Sequence, residues 1–408
     1  MAIKRGNHTL MTAFATTSSI VIPCAKGIPP ILKEELVALG FPVLAETVAS
    51  VATEGTLADS MRLNLSLRTG NRVLFLVGEF PAANPDDLYR NLSQIAWETW
   101  IPEDGTLCVT SAVANPTIRD TRFANVKCKD AVVDRIKSHC GRRPDSGPER
   151  TGVVLFLHWR GDDCRIYLDT SGEPLSRRGY RKIPCKAPLQ ETIAAAVVLT
   201  TGWEGNGHFI NPMCGSGTLA IEAALIGLDK APGLLRSEFG FMHLKGFPEG
   251  SWRQLRQEAK RRTQKALSGR IIATDIDPKA VAAAKKNAAT AGVEHLLEFA
   301  VCDYAETLVP EGGGVILLNP EYGERLGKRE FLVEVYKGIG DFFKQKGSGY
   351  RGYVFTGNLE LAKKIGLRPT RRIPFFNSKI ECRLLEYELY EGSRKPAKNV
   401  QPAEDESL

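Results

Sequence analysis

One stretch of the chain decides how the C-terminal half folds: Asn211-Pro212-Met213-Cys214-Gly215-Ser216-Gly217-Thr218. An apolar run, residues 207–210, leads into it as a buried strand would, and a helix-like run, residues 219–226, follows it. A strand that ends on two glycines and turns into a helix places bare backbone amides at the carboxyl edge of a sheet, where the chain can closely approach a nucleotide-like ligand. Because a glycine pair alone is a weak signal, the prediction also depends on the strands that come next.

Three apolar runs downstream each end on a polar residue, and they span 271–275, 297–303 and 314–319. Helix-like segments alternate with these strands, which predicts a parallel sheet with helices on both faces. Two later runs, 352–357 and 380–389, extend the sheet, the last one as a closing antiparallel strand. The sequence therefore predicts an α/β, Rossmann-like domain.

Asp275 ends the second of these strands, where a carboxylate can accept hydrogen bonds from both hydroxyls of a ribose. The alternative is that Asp275 or Asp277 only caps the helix that follows, residues 279–291. The two roles are compatible, and we assign the ribose to Asp275. Asp303 ends the third strand and could face an adenine amino group, although alone it is no stronger a signal than any loop aspartate.

The fourth strand leads into Asn319-Pro320-Glu321-Tyr322, which carries the most specific chemistry. An exocyclic base amine is a poor nucleophile, so its attack on an activated methyl group needs the amine held in place and shielded from water. The Asn319 side-chain oxygen and the Pro320 carbonyl can accept its two hydrogens, and Tyr322 can stack on the base. No metal or covalent nucleophile is needed. The competing interpretation is an ordinary Asn-Pro turn.

Bulk composition fits a soluble globular protein of two or three domains, with 408 residues, 43% hydrophobic and 25% charged. No apolar run is long enough to span a bilayer. The nine cysteines are odd in number and never in C-x-x-C spacing, which argues against a zinc site or a disulfide framework. We therefore expect reduced thiols, no metal and a cytoplasmic location.

The N-terminal part alternates strands and helices in an α+β pattern, without an acid–base constellation before residue 185. The predicted elements are strands at 20–23, 63–80 and 108–113, helices at 29–40, 86–97 and 123–137, and a hairpin over 153–168. Segments at both ends, 1–19 and 393–408, are expected to be disordered, and the first has some features of a transit peptide.

Positive charge is concentrated in residues 115–186, where 16 Lys/Arg face nine Asp/Glu, a surplus equal to the +7 of the whole chain. Cations beside a rigid module can hold a phosphate backbone without reading its sequence, so RNA is the expected partner. A solvated face, or local pairing of Lys127 and Lys129 with Asp130, is the alternative. The predicted RNA-binding residues are Arg119, Arg122, Lys127, Lys129, Arg135 and Lys137, with Arg177, Arg178 and Arg181 in a linker-like bend. Two further basic groups, Arg371, Arg372 and Lys379 and the helix-like segment 252–267, could touch RNA or form a plain exposed face.

The motifs at 211–218, 275–278, 303 and 319–325 resemble those of S-adenosylmethionine-dependent amino-methyltransferases of RNA and DNA. Five more stretches narrow the resemblance to bacterial guanine-N2 methyltransferases of large-subunit ribosomal RNA that carry a THUMP domain. These stretches are 67–73, 127–136, 177–180, 187–191 and 323–327.

The resemblance, over roughly residues 20–392, implies a ferredoxin-like and THUMP module (20–168, with THUMP from about 47) before a class I methyltransferase domain (169–392). It implies S-adenosyl-L-methionine as cofactor and the N2 amine of a 23S rRNA guanosine as substrate, either in free rRNA or in a precursor ribosomal particle. The residues expected at the cofactor are Leu189, Glu191, Asn211, Met213, Cys214, Gly215, Gly217, Thr218, Glu222, Asp275, Ile276, Asp303, Tyr304 and Asn319.

Two residues depart from the family pattern. Asn211 stands where an aspartate is usual, so it cannot form an ion pair with the methionyl ammonium, and Glu321 stands where a proline is usual. Some relatives carry a second methyltransferase domain, but we expect this chain to have a single methyltransferase domain. The alternatives are guanine-N2 methylation of tRNA, adenine-N6 methylation of DNA, and an RNA-binding or ribosome-assembly factor whose chemistry has lapsed at Glu321.

Overall fold

The computed structural model describes residues 14–183, 189–322 and 329–390, which form two sheets with helices packed on them. The expected disordered start is too long, because Phe14 is buried and the first strand begins at Thr17. The expected disordered segment 393–408 lies outside the described residues. No helix among the described residues is long and apolar enough to cross a bilayer.

The first sheet has eight strands in the order β2-β3-β1-β4-β8-β7-β5-β6. Its β4 and β8 pair in antiparallel fashion, so two structural halves share one continuous sheet. The strands are β1 (Thr17–Pro23), β2 (Ala45–Glu46), β3 (Ser50–Thr56), β4 (Leu74–Pro81), β5 (Thr106–Ala114), β6 (Asp145–Ser146), β7 (Val153–Arg160) and β8 (Asp163–Asp169). Its helices are α1 (Pro29–Ala38), α2 (Leu57–Ser66), α3 (Pro85–Gln94) and α4 (Thr121–Cys140).

The strand predicted from residue 63 is wrong in its first part, where α2 lies instead. Thr56 and Asp59 form a capping box, in which the Asp59 amide donates to the Thr56 hydroxyl (3.1 Å) and the Thr56 amide donates to the Asp59 carboxylate (2.9 Å). Leu57, Met61 and Leu65 then follow at helical spacing on the buried face. Apolar and polar residues alternate from Leu63 to Leu67 with the period of a strand, which explains the wrong prediction.

The second sheet has seven strands in the order β11-β10-β9-β12-β13-β15-β14. All pairs from β11 to β13 are parallel, and β15 is antiparallel to both of its neighbours, as a doubly wound sheet with a closing strand should be. The edge strand β14 was not predicted. The strands are β9 (His208–Pro212), β10 (Ile271–Asp275), β11 (Leu297–Val301), β12 (Gly314–Leu318), β13 (Tyr350–Thr356), β14 (Arg371–Asn377) and β15 (Ile380–Glu388).

Helices on both faces cover this sheet, namely α5 (Glu191–Thr200), α6 (Thr218–Gly227), α7 (Glu249–Arg262), α8 (Pro278–Ala291), α9 (Arg329–Lys346) and α10 (Leu359–Ala362). The chain starts the sheet at β9, then builds outward on one side through β10 and on the other through β12. Strand order therefore reverses between β9 and β12, and ligands of such sheets bind at the carboxyl ends of the strands beside this point.

Close contacts join the two sheets. A Cβ on Gly233, in the connection after α6, would lie 2.6 Å from the Cα of Leu65 in α2. The Thr192 hydroxyl of α5 donates to the Asn71 side chain (3.0 Å), and Arg236 donates to the carbonyl of Ser171 (3.0 Å). These contacts fix the N-terminal sheet to the helices that precede and follow β9.

Candidate active site

The turn between β9 and α6 has the conformation that its glycines predict. Met213, Gly215 and Gly217 have φ values of 57°, 56° and 82°, in the left-handed region where glycine costs least. A Cβ on Gly217 would lie 2.9 Å from the Cβ of Ala284 in α8, so this glycine also permits close packing of two helices. The turn leaves the N-terminus of α6 at the carboxyl edge of the sheet, which is a site suited to a polar ligand.

Asp275 and Asp277 divide the two roles that the sequence left open. Asp277 caps α8 by accepting from the amide of Lys279 (2.9 Å). The Asp275 carboxylate accepts from the amides of Gly215 (2.9 Å) and Asp277 (3.0 Å). It is partly exposed beside the glycine turn, and each of its oxygens keeps a lone pair for a further donor. The neighbouring Ile276 is 69% exposed, so an apolar side chain is also available beside this carboxylate.

Asp303 and Tyr304 are less available for contact with a cofactor than the sequence predicted. The Asp303 side chain accepts from the amide of Ala305 (2.9 Å) and caps a short turn, although it remains partly exposed. Tyr304 turns toward α9, where its hydroxyl donates to the carbonyl of Val335 (3.2 Å) and packs against Gly338. The expected cofactor contact of the Tyr304 side chain is therefore wrong, because that side chain fills the gap between its turn and α9.

Arg181 joins three residues that were expected at the cofactor. Its guanidinium donates to the carbonyl of Leu189 (2.5 Å) and the hydroxyl of Thr218 (3.2 Å) and lies 3.4 Å from the Glu191 carboxylate. Burial raises the pKa of Glu191, and the charge of Arg181 opposes that shift. Arg181 thus holds the start of α5 against the start of α6, and its RNA contact stays a prediction. Residues 184–188 lie outside the described residues.

Glu222 and Arg178 form a buried pair, which contradicts the roles predicted for both. Glu222 is 0% exposed and Arg178 is 1% exposed, so neither can touch a cofactor or RNA. Arg178 Nε lies 3.5 Å from Glu222 Oε1, and the Tyr180 hydroxyl donates to the same oxygen (3.0 Å). The guanidinium also donates to the carbonyls of Leu175 and Arg68. This pair ties the connection between the two sheets to α6.

Asn211, which was also expected at the cofactor, is 0% exposed, so no ligand can reach its side chain in this conformation. Its side-chain amide donates to the carbonyl of Leu317 (2.8 Å), just beyond Ile316, where the pairing of β9 with β12 ends. Its Oδ1 has no hydrogen-bond partner in the part of the chain that the structure describes. An ionised aspartate could not donate this hydrogen bond, which gives the asparagine a role of its own at the point where the strands separate.

The Asn319–Tyr322 segment lies at the carboxyl end of β12, with an internal contact that the sequence did not predict. The Tyr322 hydroxyl donates to Asn319 Oδ1 (2.9 Å), the oxygen expected to accept from the target amine. The ring packs against Gly357, where an added Cβ would lie 2.9 Å from it, and Asn358 donates to the Tyr322 carbonyl (2.8 Å). In this conformation the Tyr322 ring therefore lies against Gly357 and is not positioned to stack on a base. Residues 323–328 lie outside the described residues.

Sequence reasoning missed Gly357 and Asn358, which support Tyr322. A Thr-Gly-Asn sequence at the end of a strand was the available signal, because glycine admits a close neighbour and asparagine caps the helix that follows. The Asn358 side chain both supports Tyr322, by donating to its carbonyl, and caps α10, by accepting from the amide of Leu361 (3.0 Å).

Most of the predicted RNA-binding residues on and near α4 form ion pairs with acidic neighbours. The pairs are Arg122–Asp120 (2.7 Å), Lys127–Asp86 (3.2 Å), Lys129–Asp130 (2.8 Å), Arg135–Glu98 (2.9 Å) and Arg177–Glu173 (2.6 Å). Of the predicted set, Arg119 and Lys137 have no ion-pair partner among the described residues. Surface pairs contribute little to stability, so these cations can exchange a carboxylate for a phosphate at small cost. Their RNA contact stays a prediction.

Three family models match the chain. An RMKL-like methyltransferase domain matches residues 178–386, an RlmL ferredoxin-like domain matches 19–74, and a THUMP domain matches 82–169. The methyltransferase match contains the glycine turn, Asp275 and Asn319. The THUMP match begins later than the expected residue 47, because β2 and β3 belong to the ferredoxin-like half.

Individual proteins resemble most of the chain. A protein named ribosomal RNA large subunit methyltransferase K/L from Syntrophotalea carbinolica is 40% identical over 90% of this chain and 53% of its own length. The chain spans about half the length of the curated relatives of that name. A crystal structure described as a candidate methyltransferase with S-adenosylhomocysteine is 27% identical, with a TM-score of 0.82 over 93% of this chain and 99% of its own. A Listeria monocytogenes structure described as a predicted N6-adenine-specific DNA methylase is 32% identical, with a TM-score of 0.82 over 94% of this chain and 100% of its own.

Proposed function

Because this chain belongs to the RMKL-like methyltransferase family, we propose that it transfers a methyl group from S-adenosyl-L-methionine to the N2 amine of a guanosine in large-subunit ribosomal RNA. One observation carries the proposal. The glycine turn, which Asp275 holds, follows β9, and the Asn319-Pro320 segment follows β12. Because these two strands are neighbours on either side of the strand-order reversal, the two segments lie side by side at the carboxyl edge of the sheet. This edge can therefore hold a nucleotide-like donor beside a planar amine.

The residues at this edge fit an adenosylmethionine. The partly exposed Asp275 carboxylate keeps lone pairs for two ribose hydroxyls, and Ile276 supplies an apolar surface next to it. Gly215 has nothing within 4 Å of an added Cβ, so there is open space beside the turn. When bound, the cofactor would supply an electrophilic methyl group.

Asn319 and Pro320 would hold and orient the amine. The amide oxygen and the peptide carbonyl each accept one N–H, which fixes the amine and supports the positive charge that develops on its nitrogen. The Tyr322 hydroxyl takes one of the two lone pairs of Asn319 Oδ1, so one lone pair remains for the amine, and release of the hydroxyl would free the second. The ring would then be free to face the base.

The N-terminal sheet supports RNA rather than DNA as the partner. The family models give it a THUMP match and a ferredoxin-like match, and the K/L relatives are named for ribosomal RNA. The Listeria structure's description favours adenine-N6 methylation of DNA as the second candidate, because both amines need the same pair of acceptors.

Mass spectrometry of nucleosides from a deletion strain tests the proposal. Digested 23S rRNA should lose one N2-methylguanosine, and expression of the wild-type chain, but not of Asn319→Ala, should restore it. Loss of N2-methylguanosine from tRNA, or of N6-methyladenine from DNA, would transfer the activity to that substrate. Unchanged nucleosides in all three would favour an RNA-binding assembly factor. Methylation of free 23S rRNA compared with precursor particles would then identify the true substrate.

A further inference from the structure

The N-terminal sheet and the carboxyl edge of the second sheet meet along one ridge. It consists of the loop 24–28, between β1 and α1, and the hairpin tip 377–380, between β14 and β15, and we call it the junction ridge. A Cβ on Gly27 would lie 2.5 Å from the carbonyl oxygen of Pro374, and Lys26 Nζ lies 5.7 Å from the centre of the Phe376 ring. The loop therefore rests directly on the edge strand β14.

The other end of the junction ridge reaches the residues around Asn319. Because β14 and β13 are both antiparallel to β15, they run in the same direction, and the tip after Asn377 lies at the carboxyl edge. A Cβ on Gly357 would lie 2.9 Å from both Ile380 Cγ2 and Tyr322 Cδ2. Ile380 and Tyr322 thus flank the same position, and the junction ridge runs unbroken from the N-terminal module to the candidate amine site.

The charges along the junction ridge differ from those on α4. Lys26 and Lys379 are exposed, and within the described part of the chain neither has an acidic partner. Of the arginines on β14 and β15, Arg371 is paired with Glu386 and Arg383 with Glu381, whereas Arg372 is exposed and has no acidic partner among the described residues. Lys26 and Lys379 are therefore two uncompensated ammonium groups between the N-terminal sheet and the candidate amine site, where they are available to phosphate groups.

We propose that the junction ridge binds the phosphate backbone of the RNA strand next to the target nucleotide, through Lys26 and Lys379. The inference rests on the proposed function, since a strand gripped by the N-terminal module must pass along this surface to place a base at Asn319. It adds to that function a specific path for the substrate. Lys26 also packs on Phe376, whereas Lys379 makes no such contact, so Lys379 gives the cleaner test.

The test measures binding of transcribed 23S rRNA as a function of KCl concentration for the full chain and for Lys26→Gln, Lys379→Gln and Lys286→Gln. Lys286 is the matched control, because it is exposed and without an acidic partner among the described residues but lies in the second half of α8, between β10 and β11 and at the opposite end of the sheet from β14. Each ridge variant should lower the salt slope by about 0.7, the value for one phosphate contact of a single strand. Lys286→Gln should keep the wild-type slope, and all variants should bind S-adenosylhomocysteine normally.

Equal slopes for Lys379→Gln and the wild type would overturn the proposal, as would an equal fall in Lys286→Gln. A loss in Lys26→Gln alone, accompanied by a lower Tm, would reduce Lys26 to a packing role and also count against the ridge. Transfer of labelled methyl groups to the same transcript separates the two levels. If the wild type methylates the RNA but the ridge variants have its salt slope, only the proposed ridge is refuted. If the wild type methylates nothing while the ridge variants have lower salt slopes, the proposed function is refuted and the RNA path along the ridge is retained.

Discussion

Asp275 and Asp277 lie two residues apart at the end of β10, and their partners differ. Replacing Asp275 with alanine should weaken binding of S-adenosylhomocysteine by about 1.5–3 kcal/mol, the scale of hydrogen bonds to a charged group. Asp277→Ala is the matched control: it removes the cap of α8 and should cost about 0.5–2 kcal/mol of stability, with little effect on binding. Calorimetry and thermal unfolding of both variants distinguish the roles. Equal binding by Asp275→Ala and the wild type would remove Asp275 from the site.

Tyr322 and Asn319 allow a second separation of roles. Tyr322→Phe keeps the ring on Gly357 but removes the hydroxyl that donates to Asn319 Oδ1, so both lone pairs of that oxygen are available to the target amine. We expect kcat/KM for RNA to stay the same or rise up to about tenfold, the equivalent of about 1.4 kcal/mol for one neutral hydrogen bond.

Asn319→Ala should abolish transfer while cofactor affinity stays near that of the wild type. Steady-state kinetics with RNA and calorimetry with S-adenosylhomocysteine check both variants. A Tyr322→Phe enzyme as inactive as Asn319→Ala would show that the hydroxyl takes part in the reaction rather than blocking it.

The turn into α6 shows how two glycines of one element differ. Gly217→Ala forces a side chain into the left-handed region and against Ala284, so we expect a loss of about 2–4 kcal/mol in unfolding free energy from the two effects together. Gly215→Ala meets no protein atom within 4 Å and should lose only about 1–2 kcal/mol. Its methyl group enters the open space assigned to the cofactor, so cofactor binding should fall more than stability. Denaturant unfolding and calorimetry test the pair, and an undisturbed affinity in Gly215→Ala would place the cofactor elsewhere.

Elements with a strong local pattern could be predicted from the sequence, and those set by distant partners could not. The glycine turn, β10 with Asp275, and β12 with Asn319 follow from apolar runs that end on special residues. The segment 63–67 alternates like a strand, but the capping box at Thr56 and a buried helical face outweigh that signal. Strand β14 contains Pro374, which argues against a strand when only the sequence is known, and it depends on pairing with β15, which comes later in the chain.

Errors in the site have the same physical origin. Arg178 and Glu222 carry charges that composition assigns to RNA or cofactor, yet the fold buries and pairs them at the junction between the sheets. Sequence gives charge and order along the chain, but it does not give which opposite charge the fold brings next to a given side chain. The contact of Tyr322 with Asn319 is equally hidden, because it depends on the space beside Gly357.

At the scale of the whole molecule, the buried Arg178–Glu222 pair is the ionic contact among several polar ones that fix the connection between the sheets to α6. Removing one charge leaves the other buried and uncompensated, so Arg178→Met or Glu222→Gln alone should cost about 3–5 kcal/mol of stability. The double variant replaces the pair with neutral side chains of similar volume, and such replacements are often neutral or stabilising. We therefore expect the double variant to recover most of the loss.

Kinetic measurements distinguish a role of the Arg178–Glu222 pair in positioning the RNA from a role in stability alone. Because α6 begins at the glycine turn, and the connection carrying Arg178 leads from the N-terminal sheet, the double variant should fold with normal cofactor affinity but hold the two parts less rigidly. Its KM for RNA should rise several-fold while kcat changes little, since the base is correctly placed once bound. Denaturant unfolding of the three variants gives the coupling energy, and steady-state kinetics gives the split between KM and kcat. Additive losses in stability, or wild-type kinetics in the double variant, would show that the ion pair does not help to align the RNA-binding module with the active site.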